Sequence, residues 1–265
     1  LEYYGRYEIM EVLNVKNLKK VYGSKFGGVK YTALDELDLK VNTGEFVGIM
    51  GPSGSGKTTF LNVISTIDKP TAGSVLIDGM DITKLKEPNL SKFRREKLGF
   101  IFQDFNLLDN MTLKENIVLP LALSKTPYAT IEERLKEITT KLGISEILNK
   151  HPYEVSGGQK QRAAAARAII SKPTLILGDE PTGALDSKAS KELLNSLQFI
   201  NENNNATILM VTHDSFAASY CKRVVFIKDG KLFNEIYKGD MARKEFYQKI
   251  LKVLSVMGGD IDDAI

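Results

Sequence analysis

Gly51, Pro52, Ser53, Gly54, Ser55, Gly56, Lys57 and Thr58 stand directly after an apolar run, Phe46–Met50, and directly before Thr59-Phe60-Leu61-Asn62-Val63-Ile64. The pattern reads strand, loop, helix, which is the setting a phosphate-binding loop requires. Glycine lets consecutive backbone N–H groups curl around a polyphosphate without side-chain clash, and the helix that follows aims the positive end of its dipole at the same anion. Lys57 is placed to bridge the β and γ phosphates and the Thr58 hydroxyl to hold Mg²⁺, with Thr59 in the same nucleotide-binding turn.

A second apolar run, residues 174–178, ends in Asp179-Glu180-Pro181. It reads as a buried strand delivering two adjacent carboxylates at its carboxyl end, where an open parallel sheet keeps its ligands. Asp179 is expected to organise Mg²⁺ through its water shell, and Glu180 to polarise the water that attacks the γ-phosphate. Two acids that only cap a strand end are the plainer alternative. Ser156-Gly157-Gly158-Gln159 opens an alanine-rich helix at 163–170 and makes a second anion-binding helix terminus. One nucleotide needs only one phosphate loop, so the economical reading is that 156–159 binds the γ-phosphate of a nucleotide held by another copy; a plain N-cap is the alternative. His213, one of two histidines, follows the apolar run 208–211 and precedes Asp214, which also suits a helix-capping neighbourhood. His151, beside Pro152, matches nothing catalytic and reads as structural.

The elements that must carry these residues are strands expected at 12–15, 46–50, 75–77, 98–102, 174–179, 207–212 and 224–228, most of them alternating with helical stretches as a largely parallel sheet requires. Between Pro120 and Pro152 the pattern turns helical, and Thr130-Ile131-Glu132-Glu133 resembles a capping box opening an amphipathic helix. Residues from about 90 to 165 read as a helical insertion.

With 265 residues, 43% of them hydrophobic, the chain has material for one large α/β domain with a subdomain. A net charge of +3, from 36 basic and 33 acidic residues, gives no ground for nucleic-acid binding. The single Cys221 reads as a packing residue in a reducing compartment. Apolar stretches are too short to span a bilayer, the segment near 163–170 being interrupted by Arg162 and Arg167. The first nine residues lack the basic and apolar pattern of a signal peptide. Met10 is therefore expected to be the natural start and residues 1–9 a non-native or disordered extension.

From about residue 12 to 232, the chain resembles the ATPase subunits of ATP-binding cassette (ABC) transporters. Ser156-Gly157-Gly158-Gln159 resembles that family's signature, with Val155 where leucine is usual. The resemblance implies a P-loop NTPase (RecA-like) core with a helical subdomain and an antiparallel β subdomain, spanning residues 10–240. It further implies that Tyr22 stacks on adenine and that Gln103 senses Mg²⁺ and faces the permease. Asp186, in the Ala184-Leu185-Asp186 loop, would cross a dimer interface, and His213 would hold the γ-phosphate and the attacking water. Taken alone, Tyr22 reads rather as a packed aromatic and Gln103 rather as a surface polar residue. ATP and Mg²⁺ are the implied cofactors. The implied partners are a second copy arranged head to tail and an integral membrane permease, and a membrane sensor histidine kinase reached through that permease stays open. The implied location is the cytoplasmic face of the cell membrane. Gly178 departs from the bulkier residue common before the aspartate and is expected to loosen strand packing.

Softer signals rank the subfamily. Gln103-Asp104-Phe105-Asn106-Leu107-Leu108 and Asp186-Ser187 are similar to the branch serving lipoprotein-release, macrolide-export and peptide-resistance permeases. Ser65-Thr66-Ile67-Asp68, the run from 217 to 224 and the segment 243–259 are most similar to bacitracin-resistance (Bce-type) ATPases. The rivals are lipoprotein release, macrolide export and a cell-division-type regulator of cell-wall remodelling. In the segment 241–265, Phe246, Ile250, Leu254 and Met257 give one apolar helix face followed by an acidic tail. That face can dock on the domain's own surface or on a permease or lipid surface. Lys92, Arg94, Arg95 and Lys97 read as a solvated helix face.

Overall fold

The computed structural model describes residues 10–23 and 30–258. The expectation about residues 1–9 and the acidic tail after Gly258 lie outside the described residues. Among them, two sheets form. One is antiparallel, in the order β2-β1-β4-β5, from β1 (Glu11–Tyr22), β2 (Tyr31–Asn42), β4 (Ala72–Ile77) and β5 (Met80–Asp81). The other runs β10-β9-β3-β8-β7-β6, from β3 (Phe46–Met50), β6 (Leu98–Phe102), β7 (Leu175–Asp179), β8 (Ile208–Val211), β9 (Arg223–Lys228) and β10 (Lys231–Tyr237). Pairings from β9 through β6 are parallel, and β10 closes the edge antiparallel to β9.

The parallel strands are apolar on both faces because both faces are covered. Alternate side chains divide between two cores. Ile208, Met210, Val224 and Phe226 pack on the side of α3 (Leu113–Leu123), α5 (Gly157–Ile169) and α6 (Ser187–Asn204). Leu209, Val211, Val225 and Ile227 pack on the side of α1 (Lys57–Ile64) and the antiparallel sheet. Each such side chain, fully buried, contributes on the order of 1.5–3 kcal/mol, so the sheet positions its loops rigidly.

Several local expectations change. The strand expected at 12–15 runs from Glu11 to Tyr22, and β2 was missed although Leu37, Leu39 and Val41 alternate into the core. β10 was missed because Ile236 alone among its residues is buried, which leaves no apolar period to read. The stretch 90–165 is not wholly helical, since β6 within it belongs to the core sheet. Thr130 opens no capping box. Pro127, with φ −57°, precedes the start of α4 (Tyr128–Lys141), and Thr130 already lies inside that helix. The reciprocal boxes belong to Thr112 with Glu115 and Ser156 with Gln159. At Gly178 an added Cβ would meet Pro181 and Met210 at ordinary contact, 3.5 and 3.6 Å, so the strand has room there for a methyl group, while Asp179 stays in register with Phe102 and Val211.

In α8 (Arg243–Gly258), Phe246, Ile250 and Met257 are buried and Leu254 is packed against the same core. The apolar face docks on the domain itself, and the Lys228 ammonium donates to the Met257 carbonyl at 2.9 Å. The basic face of α2 (Asn89–Lys97) is partly paired, Arg94 with Glu87 at 2.9 Å and Lys97 with Asp78 at 2.7 Å.

Candidate functional site

The loop after β3 closes tightly enough to exclude side chains. Gly56 takes φ +104°, and a Cβ there would stand 2.4 Å from the Ala33 carbonyl oxygen, so only glycine fits between the loop and β2. Ser55 donates its N–H to Pro52 at 3.3 Å and accepts from the Gly230 N–H at 3.0 Å, which ties the loop to the β9–β10 turn. Lys57 is buried, and its ammonium donates to the carbonyls of Gly51 and Pro52, both at 2.8 Å. Burial pushes its pKa down, against the pull of the Glu180 charge. Thr58 is exposed at the mouth of the loop, and Thr59 is half-buried behind it.

Asp179 ends β7 beside Phe102 of β6 and Val211 of β8. Burial, and then the adjacent Glu180 charge, raise its carboxyl pKa. Glu180 leaves the strand at φ +46°, a left-handed conformation that a non-glycine residue holds only where its surroundings enforce it. Its N–H donates to the Val211 carbonyl at 2.9 Å, and its carbonyl accepts from Gly183 at 2.9 Å. The Glu180 Oε2 meets the His213 Nδ1 directly. His213 extends from the end of β8, held by Thr212, whose N–H donates to Ile49 at 3.1 Å and whose hydroxyl accepts from the Asp214 N–H at 3.0 Å. Glu180, Thr182, Gly183, Thr212, His213 and Phe216 line a cavity of ≈ 530 Å³. Thus the phosphate loop, the two carboxylates and His213 all lie at the carboxyl ends of the neighbouring strands β3, β8 and β7.

Gln103 follows β6 and lies against Gly183, where an added Cβ would stand 3.0 Å from the Gln103 Cδ. Gly157 and Gly158 face Phe105, Leu185, Ala184 and Ala189, so the 156–159 segment packs on the 184–189 stretch rather than on the phosphate loop. The Ser156 hydroxyl accepts from the Gln159 N–H at 3.3 Å, and the Gln159 Oε1 accepts from the Ser156 N–H at 3.0 Å. Asp186 caps α6 by accepting from the Ala189 N–H at 2.8 Å. Tyr22 keeps a half-open ring, with its hydroxyl donating to Asp68 at 2.8 Å and the Lys20 ammonium 4.7 Å from the ring centre.

Two residues that sequence reasoning passed over stand out. Gln161 is fully buried, and its Nε2 donates to the Phe102 carbonyl at 2.9 Å and to the Pro181 carbonyl at 2.6 Å. One amide therefore joins the residue before Gln103 to the residue after Glu180. Tyr31 pairs across the sheet with Tyr22, and its hydroxyl donates to the Gly54 carbonyl at 3.0 Å. A glutamine within a helix and a tyrosine at a strand end carry no spacing signal, so neither was legible. His151 stacks on Tyr153 at 5.3 Å, outside this constellation.

The donor set suits a cation carried in with phosphate. Among the described residues, no cluster of three or more His, Cys, Asp or Glu forms a metal cage. A lone half-buried carboxylate, an exposed hydroxyl and an amide match the sparse protein ligation of Mg²⁺ in nucleotide sites. Among the same residues, no helix is long and apolar enough to cross a membrane.

Comparison with known proteins gives a consistent picture. The family profile described as ABC transporter matches residues 34–183. The chain is 58% identical to YvcR of Bacillus subtilis, described as an uncharacterised ABC transporter ATP-binding protein, over 96% of this chain and 98% of that one. It is 54% identical to the bacitracin export ATP-binding protein BceA of Halalkalibacterium halodurans, over 96% of this chain and all of that one. Among solved structures, it matches a dimeric post-hydrolysis state of the ATP-binding cassette MJ0796 bound to ADP and Pi, with a TM-score of 0.77 and 40% identity over 85% of this chain and 98% of that one; MJ0796 is from Methanocaldococcus jannaschii.

Proposed function

The chain belongs to the ABC transporter family as an ATP-binding subunit with ATPase activity, and from that premise we propose that it powers a membrane permease conferring resistance to antimicrobial peptides such as bacitracin or lantibiotics. The observation that carries the reading is the 54% identity to BceA, a bacitracin export protein, over nearly all of this chain. The likeness continues well past the family profile's end at residue 183, and so takes in His213 and α8.

The proposed unit is a head-to-tail pair of copies at the cytoplasmic face of the membrane. Each phosphate loop, residues 51–59, grips one ATP, Tyr22 offers its ring to the adenine, and Ser156, Gly157, Gly158 and Gln159 of the other copy close on the γ-phosphate. Two helix N-termini then face one polyphosphate from opposite sides. Asp186 lies where its loop crosses the interface. This arrangement gives a purpose to the second anion-binding terminus, which the chain's own phosphate loop does not use.

Thr58, Gln103 and Asp179 are the residues that would hold Mg²⁺, which would supply neutralisation of phosphate charge. Lys57 leaves the Gly51 and Pro52 carbonyls for the phosphates, whose negative charge offsets the cost of its burial and attracts it more strongly in that low-dielectric setting. Glu180 accepts a proton from the attacking water as the water oxygen bonds to the γ-phosphorus, while the bond from that phosphorus to the oxygen bridging the β-phosphate breaks and ADP and inorganic phosphate leave. His213 contacts the γ-phosphate and water, oriented by its bond to Glu180. Catalysis is mostly positioning and charge stabilisation. Gln103, on the loop after β6, is placed to report nucleotide state to the permease.

Capture of this chain from native membranes in mild detergent tests the reading. A permease with a large extracellular domain supports peptide resistance, and a sensor histidine kinase in the same complex would extend it. A small permease-like partner favours a regulator of cell-wall remodelling, and the lack of any membrane partner overturns the proposal.

A further inference from the structure

The described part of the chain ends in a helix that reaches back to the catalytic histidine's own support. His213 is followed at once by Asp214, which caps the short helix α7 (Ser215–Ala218) by accepting from the Phe216 N–H at 2.8 Å. Phe216 lines the cavity shared with Glu180 and His213 and meets Tyr220 edge-on at 5.5 Å between ring centres. Arg243, the first residue of α8, sets its guanidinium 4.3 Å from the Tyr220 ring centre and 5.8 Å from that of Phe216. Phe246, one turn on, is fully buried in the core that also holds Ala217, Ala218 and Tyr220.

From this geometry we propose that Arg243 is a positioning residue for ATP hydrolysis, clamping Phe216 and Tyr220 so that α7 holds His213 against Glu180. The inference rests on the reading of His213 given above. A turn of four helical residues has little stability of its own, because nucleating a helix costs more than so few bonds return. On its upstream side the turn is anchored by β8 through Thr212. On the downstream side the Lys222 N–H donates to the Phe46 carbonyl at 2.7 Å, and α8 adds a cation resting on two aromatic rings. Arg243 is itself exposed, so it acts by orienting α7 rather than by filling the core. Lys249, on the outer face of the same helix, serves as a comparison residue.

The test is steady-state ATPase kinetics of full-length Arg243→Ala, Arg243→Lys and Lys249→Ala, with Arg243→Ala also placed in a His213→Ala background, together with NMR of the imidazole signals. Loss of a two-ring cation contact, of about 0.5 to 1.5 kcal/mol, converts to a fall of about two- to tenfold in kcat. The expected result is that fall in Arg243→Ala with KM unchanged, recovery in Arg243→Lys, no effect of Lys249→Ala and no added loss in the His213→Ala background. The chain has two histidines, so the ring signals of His213 should move in Arg243→Ala while those of His151 stay in place. Unchanged kcat with unmoved His213 signals overturns the proposal, as does a loss that persists in full without His213. If His213→Ala alone hydrolyses normally, the reading of His213 fails instead, and the NMR signals then decide the clamp by themselves.

Discussion

The Glu180 carboxylate and the His213 imidazole meet through Oε2 and Nδ1, although they leave the ends of two different strands, β7 and β8. The contact is possible because those strands pair in parallel, with Asp179 level with Val211, and because Glu180 turns at φ +46° instead of continuing the strand. An acid–imidazole pair beside a phosphate loop suits the proposed roles, Glu180 as proton acceptor and His213, oriented by it, at the γ-phosphate.

Replacing Glu180 by Gln removes the acceptor while keeping size and hydrogen bonding. Turnover should fall by on the order of 10² to 10⁴ if Glu180 is the general base, with nucleotide affinity preserved. Undiminished phosphate release in an ATPase assay would remove Glu180 from that role.

Gly56→Ala places a methyl group 2.4 Å from the Ala33 carbonyl at φ +104°. Strain of roughly 1–3 kcal/mol from the backbone alone should lower the unfolding midpoint and weaken ATP binding together. Equal melting temperatures and equal nucleotide affinity in the two proteins would show that the loop tolerates a side chain.

Gln161→Met keeps the volume but strips the donor from the Phe102 and Pro181 carbonyls. The Phe102 carbonyl keeps the Phe105 N–H at 3.3 Å, whereas the Pro181 carbonyl loses its buried partner at a cost of about 1–3 kcal/mol. Urea unfolding should register that loss, and hydrolysis should fall by more than the loss of folded protein explains. A variant as stable and active as the parent would mean that the link between the two loops is dispensable.

Cys221 is fully buried against Gly48, and burial pushes its thiol pKa far up. Alkylation by a thiol reagent at neutral pH should be undetectable in the folded protein and complete in denaturant. Rapid labelling of the native chain would place Cys221 outside the core.

The nucleotide-binding elements were legible because chemistry dictates them. A phosphate loop needs its glycines, lysine and hydroxyl in fixed order, and a carboxylate pair needs an apolar strand to carry it. Elements outside the chemistry were legible only where burial left a period. β10 has one buried residue and no pattern, whereas β2 was legible in principle, since Leu37, Leu39 and Val41 alternate with Asp38, Lys40 and Asn42, and was missed all the same. Gln161 and Tyr31 escaped notice for a different reason. Their partners are backbone carbonyls far away in sequence, Phe102, Pro181 and Gly54, and no local spacing announces a contact of that kind.

In the proposed dimer, ATP joins two copies through Ser156 of one and the phosphate loop of the other. The most direct measurement is the solution mass of Glu180→Gln, of 29.4 kDa per copy, with MgATP, with MgADP and without nucleotide, alongside the same protein carrying Ser156→Arg. The expected result is a dimer with MgATP alone, and a monomer that still binds ATP once Ser156 is replaced. A mass indifferent to nucleotide, or a dimer that survives Ser156→Arg, would contradict it.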